Sequence, residues 1–190
     1  MPPKVRYTKE EISEAAYELV RKYGKEFLTA RNLAATLGSS TAPIFTAFSG
    51  IDELTESVIE RAKALYGEYI AKGLSEPLPF KAAGLKYIQF AKDEPELFKL
   101  LFMSSATKKL CLEFVAEYDD NAPRVQSTLE SYWQMCPQEA RKIYNHLAIY
   151  CHGIAVMIAD GSADYTDREI SDMLSEVFYA LKGESKNEQK

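Results

Sequence analysis

The chain has 190 residues, 46% of them hydrophobic and 27% charged, with a formal net charge of −5. That supplies a core without disulfide or metal staples, and no apolar run reaches the roughly 18–20 residues that span a bilayer. The basic start "MPPKVRYTKEE" leads into charged residues rather than an apolar signal core, so a cytoplasmic location is expected. Cys111, Cys136 and Cys151 form no C-x-x-C pair and read as buried small hydrophobes in a reducing compartment. Residues 1–50 carry seven Lys/Arg against five Glu, and the remainder sixteen against twenty-three Asp/Glu. A slightly positive head on an acidic body is compatible with a polyanionic partner at one end.

In chain order nearly everything reads as helix. "TKEEISEAAYELVRKYG" opens with Thr8 and Glu11 as a capping box, places Ile12, Ala15, Ala16, Leu19, Val20 and Tyr23 on one face, and stops at Gly24. A second helix starts at Thr29 and runs through Leu33, Ala34 and Leu37 to Gly38. Gly38-Ser39-Ser40 is the turn, and a third short helix reaches about Phe48. With Ser40 as its N-cap, Thr41, Ala42 and Pro43 form the first turn, where N–H groups lack intrahelical partners and proline is tolerated. Ile44 and Phe48 fall on the core side. Ser49 and Asp52 are expected to cap a helix over about 50–73 with Leu54, Val58, Ile59, Ala62 and Leu65 inward. The first three helices have helix-turn-helix spacing, a pattern that an ordinary three-helix corner also produces.

"GLSEPLP" interrupts the helical pattern. The predicted organisation is a head over 1–50, the linking helix over about 50–73, a helical body over 74–183 and a disordered polar tail over 184–190. In the body, Pro95 starts one helix, a polar stretch "EYDDNAPR" precedes another, and "PQEARKIYNHLAIYCHGIAVMIADG" is long, strongly apolar and ended by Gly161. Asp119 and Asp120 read as a solvated charge cluster beside Glu117. Thr166 and Glu169 form a second capping box before Ile170, Met173, Leu174, Val177, Phe178 and Leu181. The fold class is therefore all-α. The last two long helices carry apolar surface suited to a homodimer through a four-helix bundle, or to a fully intramolecular core.

Together, "EISEAAYELVRKYG", "TARNLAATLG" and "SSTAPIFTAFSGIDEL" resemble the head of the TetR/AcrR transcriptional regulators. Thr29, Arg31, Leu33, Ala34, Gly38, Ser40, Phe45, Phe48 and Leu54 occupy that family's pattern. "YIQFAKDEPELFKLLFMS" and "CHGIAVMIADG" are similar, less specifically, to the family's ligand-binding half. The resemblance implies a dimer that reads two half-sites of a double-stranded DNA operator and is released by a small effector. Phe45, Ala47 and Ile51 stand where the family commonly has Tyr, His and Lys, groups that touch phosphate. Thr29, Arg31, Lys4, Arg6 and Lys9 are the candidate compensators. The exposed face of the third helix, Ser39, Thr41, Ala42, Pro43 and Thr46, offers methyl contacts and single hydroxyl bonds but no bidentate base pair-reader.

Aromatic and sulfur residues crowd the middle of the chain, as in pockets for apolar molecules. Phe90, Phe102, Met103, Trp133, Tyr144 and His152 are the candidate effector residues; Trp133, Tyr144 and His152 each have a polar tip that needs a partner when buried. A satisfied core histidine is the plainer reading of His152. His146 and His152 lie six residues apart, on different sides of one helix, and cannot share a metal. No cofactor motif is present, and with no G-x-S-x-G, P-loop, dinucleotide fingerprint or H-E-x-x-H an enzyme is not expected. The alternative function is a helical small-molecule-binding or protein-interaction module with weakened or absent DNA binding.

Overall fold

The computed structural model describes residues 7–103 and 119–183. Expectations for Lys4, Arg6, Cys111, Glu117 and the tail lie outside these residues. The described residues are all-helical, without a strand: α1 (Lys9–Tyr23), a 3-10 turn (Lys25–Phe27), α2 (Ala30–Thr36), α3 (Ala42–Ala47), α4 (Ile51–Leu74), α5 (Pro79–Asp93), α6 (Pro95–Phe102), α7 (Ala122–Trp133), α8 (Pro137–Ala159) and α9 (Asp167–Lys182). They group into two compact units, one from the described parts of 1–65 and 94–105, the other from those of 66–93 and 106–190. The units are interleaved in sequence, with α4 contributing to both and α6 belonging to the first.

In the first unit, α1 is fixed at both ends by local chemistry. Thr8 accepts from the Glu11 N–H while Glu11 returns to the Thr8 N–H, and Gly24 ends the helix at φ 85°. Its buried face is Ile12, Ala16, Tyr17, Leu19 and Val20. Tyr17 rather than Tyr23 is buried: the Arg61 guanidinium sits 4.7 Å over the Tyr17 ring, while Tyr23 stays exposed and stacks on Phe27 at 5.3 Å. Leu33, Ile44, Phe48, Leu54 and Val58 complete the core.

Arg21 then reaches Glu94 from α1, its Nε donating to Oε2 at 2.7 Å and its Nη2 to Oε1. Glu94 is the N-cap residue of α6 and Pro95 opens the helix, so α6 packs on α1. A Cβ on Gly24 would lie 2.5 Å from Glu96 Oε2, which makes the missing side chain part of the same contact.

Two start signals differ from the sequence expectation. The N-cap of α3 is Thr41, not Ser40, with no side-chain cap bond, and Pro43 still lies in the first turn. Before α4, Asp52 does not close a box with Ser49. Glu53 does the work instead, accepting from the Ser49 N–H at 2.7 Å and from its hydroxyl at 2.9 Å, because a longer carboxylate spans the extra residue. The inward face of α4 recurs at every fourth residue, Leu54, Val58, Ala62, Tyr66 and Ile70; Ile59 and Leu65 are only half-buried.

The second unit centres on α5 against α8, with α7 and α9 packed on both. Phe90, Ile88, Leu129, Ile154 and Ala155 are fully or almost fully buried. Close approach uses small residues. A Cβ on Gly84 of α5 would come within 3.3 Å of Cys151 Sγ. Cys151 is buried as expected, whereas Cys136 is exposed, because it occupies the N-cap position of α8 rather than a helix interior. Thr166 and Glu169 form the second capping box, and α9 ends at Gly183 with φ 79°. No helix among the described residues is long and apolar enough to cross a membrane.

Gly73, in the last turn of α4, tests this packing directly. A Cβ there would sit 2.8 Å from the Ala82 carbonyl oxygen and from Ala83 Cα, backbone atoms that cannot swing aside. Gly73→Ala should lower stability in urea denaturation by about 1–3 kcal/mol, although alanine is the better helix former by about 1 kcal/mol.

Candidate functional site

The α2–turn–α3 unit presents one buried and one open side. Thr29 caps α2, accepting from the Asn32 N–H at 3.2 Å, which leaves its hydroxyl proton available. Gly38 takes φ 61° in the turn, the left-handed region that favours glycine. Ile44 and Phe48 are buried and anchor α3, while Thr41, Ala42, Phe45 and Thr46 are exposed. Phe45 is 53% exposed. Arg31 and Ser40 are exposed, and Ser39 and Pro43 half-buried. Two hydroxyls are already committed as donors, Ser39 to the Ser40 carbonyl at 2.9 Å and Thr46 to the Ala42 carbonyl at 2.9 Å. Each retains acceptor capacity. The Tyr7 hydroxyl donates to the Leu37 carbonyl and thereby fastens the chain before α1 to the turn.

Lys9 is the compensator whose position changes the reading. Its ammonium lies 2.6 Å from Glu53 and 4.7 Å over the Phe48 ring. Lys9 and the two Ser49 donors hold the Glu53 carboxyl down to about 2. That cation is therefore engaged in joining α1 to the start of α4.

The candidate effector residues separate. Phe102 and Met103 belong to the first unit, where Phe102 is buried against Phe98 with ring centroids 5.2 Å apart and Met103 is exposed. In the second unit, Trp133 packs on Phe178 at 4.9 Å with the Lys182 ammonium 4.7 Å over its ring. Phe90, Tyr144 and His152 lie elsewhere in that unit, within an aromatic and polar cluster. Tyr87 shares a 2.9 Å hydrogen bond with His152 Nδ1 and meets Tyr66 edge-on at 5.9 Å. Phe90 packs on Tyr66 at 5.4 Å.

Asp119 is the residue that sequence reasoning missed. It accepts a hydrogen bond from the Tyr66 hydroxyl and is held from its other oxygen by the Asn121 N–H at 2.8 Å. Burial raises its pKa, against the lowering pull of those donors. Burial, and next the Asp119 charge, push Tyr66 far above the ordinary phenol value and Tyr144 upward as well. Both phenols therefore remain donors at neutral pH. Burial also disfavours the His152 cation. The arrangement sets neutral hydroxyl and imidazole groups beside the Asp119 carboxyl in an aromatic setting. Among the described residues no three His, Cys, Asp or Glu side chains converge as a metal would need.

Solved structures share this fold. A crystal structure of a TetR-like transcriptional regulator from Rhodococcus sp. RHA1 superposes with a TM-score of 0.63, over 97% of this chain and 100% of that one, at 16% sequence identity. The chain has the fold of a TetR-like transcriptional regulator. No family model matches the sequence, and no curated protein matches it.

The lowered His152 pKa fixes the sign of a pH effect. Well above the ordinary value of 6.5 the imidazole is neutral folded or unfolded and costs nothing. As pH falls below it the unfolded chain takes up the proton first, so stability is lost. Between about pH 7 and about pH 5.5 the wild type should lose more stability in chemical denaturation than His152→Gln.

Proposed function

We infer that this chain is a dimeric, ligand-responsive DNA-binding transcriptional regulator, a repressor released from its operator by a small, largely apolar effector. The observation that carries the reading is the two-sidedness of α3. Ile44 and Phe48 lock it to the core while Thr41, Ala42, Phe45 and Thr46 face outward, on a helix set one glycine turn after α2. Such a helix enters a major groove. Its side chains supply methyl contact and hydroxyl bonds without a bidentate base contact, so specificity rests heavily on half-site spacing and DNA shape.

The effector belongs at the cluster of Tyr66, Tyr87, Phe90, Asp119, Tyr144 and His152. Tyr66 links it to regulation, because Tyr66 lies on α4, the helix that follows α3. A molecule that displaces the Tyr66–Asp119 bond acts on that helix, changes the separation of the two heads and mismatches it with the operator.

The second copy belongs on the outer flank of α8 and α9. Ile149, Gly153 and Met157 recur at four-residue steps and are all exposed, with Ile149 at 50%. Met173, Val177 and Leu181 are half-buried beside exposed Ala180. This apolar flank is unusual for solvent and suits an isologous helical interface.

One observation favours a second reading, a helical ligand-binding module that has lost productive DNA binding. Lys9 is tied to Glu53, and Phe45, Ala47 and Ile51 present no charge to phosphate. A mobility-shift titration on DNA flanking the protein's own gene separates the two. The regulator should bind with an affinity that falls steeply with salt, and Thr41→Ala with Thr46→Ala should weaken it by about 1 kcal/mol or more without changing thermal stability. A flat response with specific DNA at low salt sinks the regulator.

The interface has its own test. A Cβ at Gly153 meets nothing within 4 Å in the single chain, and leaving glycine favours the helix by about 1 kcal/mol. Gly153→Leu should therefore keep or raise monomer stability while dimer mass, read by light scattering after gel filtration, falls to that of one chain.

A further inference from the structure

A concavity in the second unit is lined by none of the residues of the aromatic cluster. It is an open groove of about 520 Å³ between α5 with its preceding turn and the start of α9, a volume in the range of small-molecule sites. Leu78, Ala82, Leu85, Ile88 and Ile170 supply apolar lining, and Leu78 is 46% exposed. Three lysines line it as well, Lys81, Lys86 and Lys92, against two carboxylates, Glu76 and Asp167.

Lys92 is paired with Asp167 at 3.4 Å, which removes one charge of each sign. Lys81 and Lys86 are half-buried and line the groove, as suits a lysine whose stem packs on protein while its ammonium stays in water. The balance around the groove is positive, although residues 51–190 carry an excess of acidic groups. An apolar floor some 15 Å long, taken from Leu78 to Ile88 at the helical rise, with amines beside it, is complementary to one chemistry: a hydrocarbon chain ending in an anion.

We propose that this groove binds a single-chain amphipathic carboxylate, of the fatty-acid class, with its chain on Leu78, Ala82, Leu85 and Ile170 and its head group paired to Lys81 and Lys86. The site is separate from the cluster assigned to the effector and stands whether or not the head binds DNA. Ammonium groups recognise a carboxylate as point charges, so the contact selects charge and not a particular head-group shape. A neutral alcohol of the same chain length lacks the pairing, and a quaternary ammonium amphiphile is repelled.

The test uses the full chain and dodecanoate below its micelle concentration, followed by titration calorimetry. Dodecanoate should bind saturably, more weakly as salt rises. Dodecanol should bind at least about tenfold more weakly, as expected for loss of about 1.4 kcal/mol, and dodecyltrimethylammonium should not bind. Lys81→Glu with Lys86→Glu should cost at least the same factor without shifting the thermal melt. A photoreactive dodecanoate analogue provides a readout that needs no variant, and it should label the stretch over 76–92. Absence of binding, equal binding of the cationic amphiphile, indifference to the double charge reversal, or labelling confined to α8 each overturns the groove assignment. Loss of operator binding in the shift assay, by contrast, bears only on the head.

Discussion

The fork from Arg21 to Glu94 decides what the first unit is made of. A carboxylate with only 8% of its side-chain surface exposed costs several kcal/mol to desolvate, and two parallel guanidinium bonds repay it in a way a lysine does not. Because the acceptor sits 73 positions beyond the donor, the helix-turn-helix core is not a contiguous N-terminal block. It is completed by α6, which returns after α5. Pro95 starts that helix at once, and Gly24 leaves room for Glu96. Removing the charge on either partner strands the other in a half-dry setting.

What could be read from the sequence, and what could not, divides by the distance over which the deciding forces act. Both capping boxes, Thr8 with Glu11 and Thr166 with Glu169, were legible because each is closed within four residues. The glycine stops and the tolerance of Pro43 were legible for the same reason. The choice between Tyr17 and Tyr23 was not, since both suit the buried side of α1 and Arg61, forty-four residues on, settles it. Asp119 is the sharper case. A run of Asp-Asp-Asn signals solvent, and only Tyr66, 53 positions earlier, turns one of those carboxylates inward.

The site was legible to the same extent. Register alone placed Ile44 and Phe48 inside, and with them the outward face of α3. The candidate effector residues were chosen by type, and type does not say which unit a side chain joins. Phe102 went with α1 and α6, Trp133 with Phe178, and only Phe90, Tyr144 and His152 lie near the Tyr66–Asp119 bond. Lys9, counted as a free cation from sequence, is paired with Glu53. Composition counts charges, but geometry determines which of them remain for a partner.

The contact between Gly84 and Cys151 carries a chemical consequence. Burial pushes the Cys151 thiol up to about 12, so almost none of it is thiolate at neutral pH, and the thiolate is the reactive form. Its sulfur fills the space left by a missing methyl on α5. Alkylating agents and mild oxidants therefore meet an inert packing atom there and a solvent-exposed thiol at Cys136. The two thiols of α8 thus divide by place, one packed into the α5–α8 seam and one open to solvent where the helix starts.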